Sequence, residues 1–291
     1  MPDKHKKLLT VRKQKWVKQR QPDIIKSAPI NPSAAVEARY YADLHTLIKA
    51  MTDETERELR KLFGEEHAEE FFAQDASVSA QARILMNALI KKYTLLFGSK
   101  SKPIADRFAT SSNKASSAAV HTSLKELSGG LSLGTRTLDA DTKQVMTATV
   151  AENVGLIKTI PQKYLTGVQG AVMRSITTGN GMKDLLPYIQ KHKGITYRRA
   201  RFIAEDQTRK ANVALSTGRL EAKGVKKFRW LHTGGGQHPR ELHKKLNGGV
   251  FEFANPPIIQ YASGKSPQVR GLPAQLPGCR CRMIAVIEFT D

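Results

Sequence analysis

The sequence predicts an α+β protein, with a mostly α-helical N-terminal domain followed by a small α+β C-terminal module. Two observations set this class. Apolar residues recur at helix-face spacing over long stretches from Ser33 onward, whereas β-branched and aromatic residues cluster in short runs after Gly224. Length then sets the scale, because 291 residues with 40% apolar content can bury a core as one large domain or as two smaller ones, and two is the expectation.

The order of elements begins with residues 1–32, expected to form a basic arm, low in apolar content and closed by "APINPS". Such a segment is expected to order only on meeting a partner. Residues 33–194 are expected to form the helical domain. Its first helix carries Tyr40, Leu44, Leu47, Ile48 and Met51 on one face, with no Gly or Pro until Gly64. A second stripe runs through Ile84, Leu85, Ala88, Leu89, Tyr93 and Leu96 and is expected to stop at Gly98 and "SKP". Between them the acidic stretch from Asp53 to Asp75 is either a solvated helix face or a docking surface for a basic partner. Residues 103–135, rich in Ser, Ala and Thr, read as a helix running into a flexible joint. Further helices are expected over 139–154, 158–178 and 183–192.

Residues 195–291 form the expected α+β module. A helix over 195–223 is stopped by Gly224, where a left-handed C-cap is needed. "VKKFRWLHT", "GGVFEF" and "CRMIAVIEF" read as strands. About twenty-five Pro- and Gly-rich residues before "CRC" read as a long loop, of the kind that carries function or is ordered by a partner.

The charge is uneven. The formal net charge is +21, and residues 1–26 carry nine basic side chains against Asp3 and Asp23. Residues 191–229 carry twelve against Glu205, Asp206 and Glu221. Clustered positive charge attracts phosphate backbones and gives sequence-independent, salt-sensitive binding, so double-stranded DNA is the expected partner. The residues expected to contact it are Lys4, Lys6, Lys7, Arg12, Lys13, Lys15, Lys18, Arg198, Arg199, Arg209, Lys210, Lys226 and Lys227. No run of about 18 apolar residues is present to span a bilayer, and the charged N-terminus lacks the apolar core of a signal peptide, so a cytoplasmic protein with no membrane partner is expected.

The chain has two cysteines, Cys279 and Cys281, in "LPGCRCRM". A reducing compartment makes them free thiols or thiolate ligands. On a strand, residues i and i+2 share a face, so both sulfurs can be presented together. Three roles stay open: packing as small apolar side chains against Trp230 and Phe251, zinc ligation with His243 and either His238 or His232, and redox chemistry. Packing leads, because the usual structural zinc spacing is wider than C-x-C. The candidate metal ligands are His243, Cys279 and Cys281, and zinc is the one cofactor these residues allow. His232, His238, His243 and Asn247 also invite comparison with His-Asn-His nucleases, but no acidic ligand stands among them, and no Walker-type loop supports ATP hydrolysis.

The C-terminal third, taken whole, resembles the phage Mu protein F-like family of head morphogenesis, or minor capsid, proteins. The matching residues are the Ala204–Asn212 segment with Asp206, Gln207 and Thr208, the step from Gly224 to Trp230, Arg240 and His243, the Leu246-Asn247-Gly248 turn followed by Phe251, and the closing Pro277-Gly278-Cys279-Arg280-Cys281. One departure is that family members often carry an acidic residue where this chain has Gly234 to His238. The resemblance implies a non-enzymatic virion component of a tailed phage or prophage, located inside the head and in the host cytoplasm during assembly. It implies the portal protein as partner, with DNA in some relatives, and major capsid or scaffold protein as further candidates. From charge and resemblance together, the expected role is to bridge portal and packaged DNA in head morphogenesis or genome ejection. The alternatives are a metal-dependent nuclease or DNA-processing enzyme carried in the head, and a transient assembly factor.

Overall fold

The computed structural model describes residues 24–64, 75–125, 140–234, 239–264 and 266–288. Strand β1 (Ile24–Lys26) precedes four long helices: α1 (Ala34–Leu62), α2 (Asp75–Lys125), α3 (Ala140–Thr178) and α4 (Met182–Glu221). After them come β2 (Lys227–Leu231), α5 (Glu241–Lys245), β3 (Val250–Glu252), β4 (Ile258–Gln260), β5 (Val269–Arg270) and β6 (Arg282–Glu288). The chain is α+β, as its sequence predicts. No helix among the described residues is long and apolar enough to cross a membrane.

Two compact units divide these residues, a helical unit within Ala38–Phe108 and Val150–Ala204, and a mixed unit within Met1–Glu37, Ala109–Thr149 and Glu205–Asp291. The helical unit is built from stripes at i, i+3 and i+4. Tyr40, Leu44, Ile48 and Met51 of α1 are buried, as are Met86, Leu89, Tyr93, Phe97, Ile104 and Phe108 of α2. The stripe on α2 differs from the expected one, since Ile84 is 69% exposed while Met86 and Phe97 are fully buried. Two buried hydroxyls here find partners: the Tyr40 hydroxyl donates to Asn153 Oδ1 at 2.7 Å, and the Tyr93 hydroxyl lies 2.9 Å from the Ala50 carbonyl and also meets Glu54.

The helices run further than their breakers suggest. α2 continues through Gly98 and Pro103, α3 runs unbroken across residues 154–158, and α4 continues through Gly194, so the expected breaks at these points do not occur. An interior Pro loses one backbone hydrogen bond and costs about 3 kcal/mol. On α2, burial of Phe97, Ile104 and Phe108 on one face offsets that loss, and the Ser101 hydroxyl donates to the Gly98 carbonyl at 2.8 Å.

In the mixed unit, the sheet order is β1-β6-β2-β3, antiparallel throughout. β2 alternates, with Phe228 and Trp230 fully buried between half-buried Lys227, Arg229 and Leu231. β6 answers with Met283 and Ala285, both fully buried. Residues 24–26, expected in the arm, instead pair with β6, and Ile30 forms a further bridge to Met283. The long Pro- and Gly-rich loop also carries structure, because β4 and β5 pair within it as a second, two-stranded sheet. Gly224 closes α4 as predicted. With φ of 78°, it lets its own N–H reach the Glu221 carbonyl and the Val225 N–H reach the Leu220 carbonyl, a Schellman cap.

Candidate metal centre

Three segments of the mixed unit converge on one buried point. Strand β2 ends at Leu231, whose partner across the ladder is Arg282, so the next pair outward is His232 and Cys281. The register thus sets these two side by side, with His232 Nδ1 3.4 Å from Cys281 Sγ. Helix α5 contributes His243, 3% exposed, whose Nδ1 lies 3.4 Å from Cys279 Sγ and 3.8 Å from Cys281 Sγ. Cys279 and Cys281 precede β6 rather than lying on it.

The turn that presents the cysteines is specified by its sequence. Cys279 N–H donates to the Leu276 carbonyl at 3.0 Å, with Pro277 and Gly278 as the central pair and Gly278 at φ 70°. These are the residues a type II turn requires, because its third position needs φ above zero. Gly278 N–H donates to Asp206 Oδ1 at 2.6 Å, and the Arg240 guanidinium donates to the Pro277 carbonyl at 3.1 Å. Asp206, buried on α4, is held in turn by Lys210 at 2.9 Å. A carboxylate in the middle of a helix therefore fixes a turn 72 residues away.

The histidines are oriented by backbone partners. His243 Nε2 lies 3.1 Å from the Ile259 carbonyl, which can only accept, so Nε2 carries a proton and Nδ1 faces the sulfurs. The His232 N–H donates to Asn247 Oδ1 at 2.9 Å, which gives Asn247 a structural task in place of the nuclease role its neighbours suggest. Trp230 packs edge-on against His243, with ring centroids 5.2 Å apart. Its indole N–H is buried without a hydrogen-bond partner, yet its positive end favours negative charge on Cys281.

The two thiols are coupled. Cys281 holds the shared proton toward Cys279, and this contact, aided by His243, pulls Cys279 down, whereas the same contact and burial push Cys281 up. One proton thus serves two sulfurs. Both cysteines also belong to the apolar core with Trp230, Met283 and Ala285, so packing and ligation are compatible roles of the same side chains. Of the residues singled out from sequence, His243, Cys279 and Cys281 meet. His232 joins them, while His238 lies outside the described residues.

The basic residues have a different fate. Lys4, Lys6, Lys7, Arg12, Lys13, Lys15 and Lys18 lie outside the described residues. On α4, Arg198 is exposed and Arg199 donates to Thr159 Oγ1 at 3.0 Å. Arg209 pairs with Glu205 at 3.1 Å and Lys210 with Asp206, while Lys226 is exposed and Lys227 half-buried. Arg219, counted in the basic stretch, is 3% exposed and hydrogen-bonds Ser116 and the Leu215 carbonyl. Part of the positive charge is thus spent inside the fold. A cavity of about 280 Å³ is lined by Arg209, Arg280 and Arg282 together with Ile30, Asn212 and Thr233. Arg280 lies 3.8 Å from Glu205, and Arg282 donates to Asn31 Oδ1 at 2.7 Å. The acidic helix face is likewise balanced: Asp53 meets Lys49 and Lys193, Glu54 meets Lys92, Glu56 meets Arg60, and Glu58 meets Arg57 and Lys61.

Residues 166–284 match the family described as phage Mu protein F like protein. A protein of Haemophilus influenzae (strain ATCC 51907 / DSM 11121 / KW20 / Rd), described as an uncharacterized protein, is 35% identical over 269 residues, which cover 91% of this chain and 56% of that relative. The chain thus spans little more than half the length of the curated relative it matches. No solved structure matches it.

Proposed function

We propose that this chain, which carries a phage Mu protein F-like region over residues 166–284, acts in phage head morphogenesis as a minor head protein bridging the portal and the packaged DNA. The family match is the observation that carries the reading. It covers the sheet strands β2 and β3, the start of β6, helix α5 and all four residues of the Cys/His cluster. The charge of the chain supports the DNA half of the proposal. Phosphates are met by side chains that remain accessible, Arg198 and Lys226 among them, and by the arginines around the cavity of the mixed unit. Portal contact is the family's contribution to the proposal. The carboxylates of α1 are already paired with cations, which weakens the case for that face as the docking surface.

Quantitative mass spectrometry of purified virions against empty heads, with this chain counted relative to portal protein, tests the bridge. A low, fixed ratio in both particles is the expected result. Loss of the chain after ejection supports delivery with DNA instead, and absence from both particles supports a transient assembly factor. The DNA half is tested by replacing Lys4, Lys6, Lys7, Arg12, Lys13, Lys15 and Lys18 together. Weaker duplex binding with a flatter dependence on log salt concentration is expected. Unchanged affinity and slope remove the arm from the interface.

A further inference from the structure

We infer that His232, His243, Cys279 and Cys281 form a closed, four-ligand structural zinc site that staples the mixed unit together. The inference rests on the geometry of this cluster and stands apart from the head-morphogenesis reading. A tetrahedral zinc ion with Zn–S near 2.3 Å and Zn–N near 2.0–2.1 Å requires its sulfur and nitrogen donors to sit about 3.6 Å apart. Three of the four sulfur–nitrogen pairs meet this, at 3.4, 3.4 and 3.8 Å; His232 reaches only Cys281 in this way, and it becomes the fourth ligand by closing onto the ion. The donor atoms of His243, Cys279 and Cys281 all lie within 4.8 Å of one another. Two thiolates and two imidazoles in tetrahedral array suit zinc, and harder cations such as magnesium or calcium prefer oxygen donors.

The surroundings are those of a ligand set and exceed what packing alone requires. A metal-bound histidine usually gives its remote N–H to a carbonyl, which fixes ring and tautomer. His243 does so to Ile259, leaving Nδ1 free toward the sulfurs. The cysteine turn is fixed from outside by Asp206 and Arg240, and the His232 backbone by Asn247. A small cavity of about 50 Å³ borders all four residues together with Thr233 and Gly278, which gives an ion a way in. With four protein ligands the ion keeps no open position, so its role is to hold structure and not to activate water.

The module has reason to need such a staple. Its strands are two to seven residues long, and the ligands join the end of β2, helix α5 and the turn before β6, with His243 and Cys279 separated by 36 residues. Cross-linking distant segments removes loop-closure freedom from the unfolded chain.

The test uses the full chain, purified under reducing conditions and assayed for metal by inductively coupled plasma mass spectrometry and native mass spectrometry. One zinc per chain is expected. Cobalt(II) substitution is expected to give the intense visible bands of a tetrahedral site and a near-ultraviolet thiolate charge-transfer band. In chelator competition, Cys279→Ser, Cys281→Ser and His243→Ala each weaken zinc affinity by more than about 100-fold, and Asp206→Asn, which loosens only the supporting turn, by about 10-fold. His232→Ala is expected to leave a tetrahedral cobalt spectrum with one nitrogen donor fewer and weaker affinity. Substoichiometric zinc in the reduced wild-type chain, an octahedral cobalt spectrum, or a mass short by two hydrogens from a Cys279–Cys281 disulfide that forms in preference to metal binding overturns the site. Unchanged affinity in His232→Ala overturns the four-ligand assignment. Because the wild-type spectrum is read directly, variants that fail to fold leave the test intact.

Discussion

The helical unit and the mixed unit bury polar chemistry in different ways. In the helical unit, buried polar contacts such as that of Tyr40 with Asn153 are scattered inside stripes of aliphatic and aromatic residues. In the mixed unit, two thiols, two imidazoles and an indole gather at one point, and turns, carbonyls and a carboxylate are arranged to aim them. The first pattern is redundant, because removing one pair leaves the stripes. The second is convergent, so a change at any member disturbs all of them.

The largest expected effect breaks this contrast at its centre. Stripping metal from the reduced protein with a chelator is expected to abolish the near-ultraviolet signal of Trp230 while far-ultraviolet helicity persists, since the helical unit contributes no residue to the ligand set. Coincident loss of both signals counts against a staple confined to the mixed unit. Next in size is Trp230→Ala. This side chain is fully buried in the sheet core, and its removal is expected to cost about 3–5 kcal/mol in denaturant unfolding. A loss below about 1 kcal/mol would mean that the sheet face is not the core of this unit.

Tyr40→Phe sharpens the same contrast from the other side. It keeps the ring stacked on Phe108, with centroids 4.4 Å apart, but removes the hydroxyl that donates to Asn153 Oδ1. Losing one buried hydrogen bond costs about 0.5–1.5 kcal/mol, with no change expected in zinc content. A change in bound metal would contradict the independence of the two clusters. Gly224→Ala is expected to cost about 1–2 kcal/mol, because its φ of 78° is strained for any residue with a Cβ.

These contrasts also explain what the sequence discloses. Helix α1 is legible because Tyr40, Leu44, Ile48 and Met51 repeat at one period without interruption. The continuity of α2, α3 and α4 is not, since Pro103, Gly155 and Gly194 are local signals and the burial that overrides them is tertiary. β1, β4 and β5 escape notice because runs of two or three residues carry no periodicity; β1 is set by a partner distant in the chain, and β4 and β5 by each other within one loop. The site follows the same rule. Cys279, Cys281 and His243 are conspicuous by residue type and placement near turns. The choice between His232 and His238 depends on the register that sets Leu231 opposite Arg282, and no local pattern reveals it.

The smallest expected effect concerns acid. Asp53 is held below the usual carboxylate range, first by its hydrogen bonds to Lys193 and Lys49, and Glu54 likewise by Lys92 and the Tyr93 hydroxyl. A carboxylate whose folded pKa is depressed binds a proton more readily when the chain unfolds. Its stabilising contribution is therefore complete above the ordinary values of 3.8 for Asp53 and 4.5 for Glu54, and is lost as pH falls through the lower folded values. Because these pairs are partly open to solvent, high salt is expected to mute the effect. Unfolding midpoints from pH 7 down to pH 3 are thus expected to fall less for Asp53→Asn than for the parent chain. The inferred zinc staple is expected to weaken over a different window, where protons compete for its sulfurs and imidazoles, and metal release monitored alongside the unfolding midpoint separates the two. If Asp53→Asn leaves the acid limb unchanged after zinc loss is accounted for, the paired carboxylates of α1 do not contribute to the stability of the helical unit.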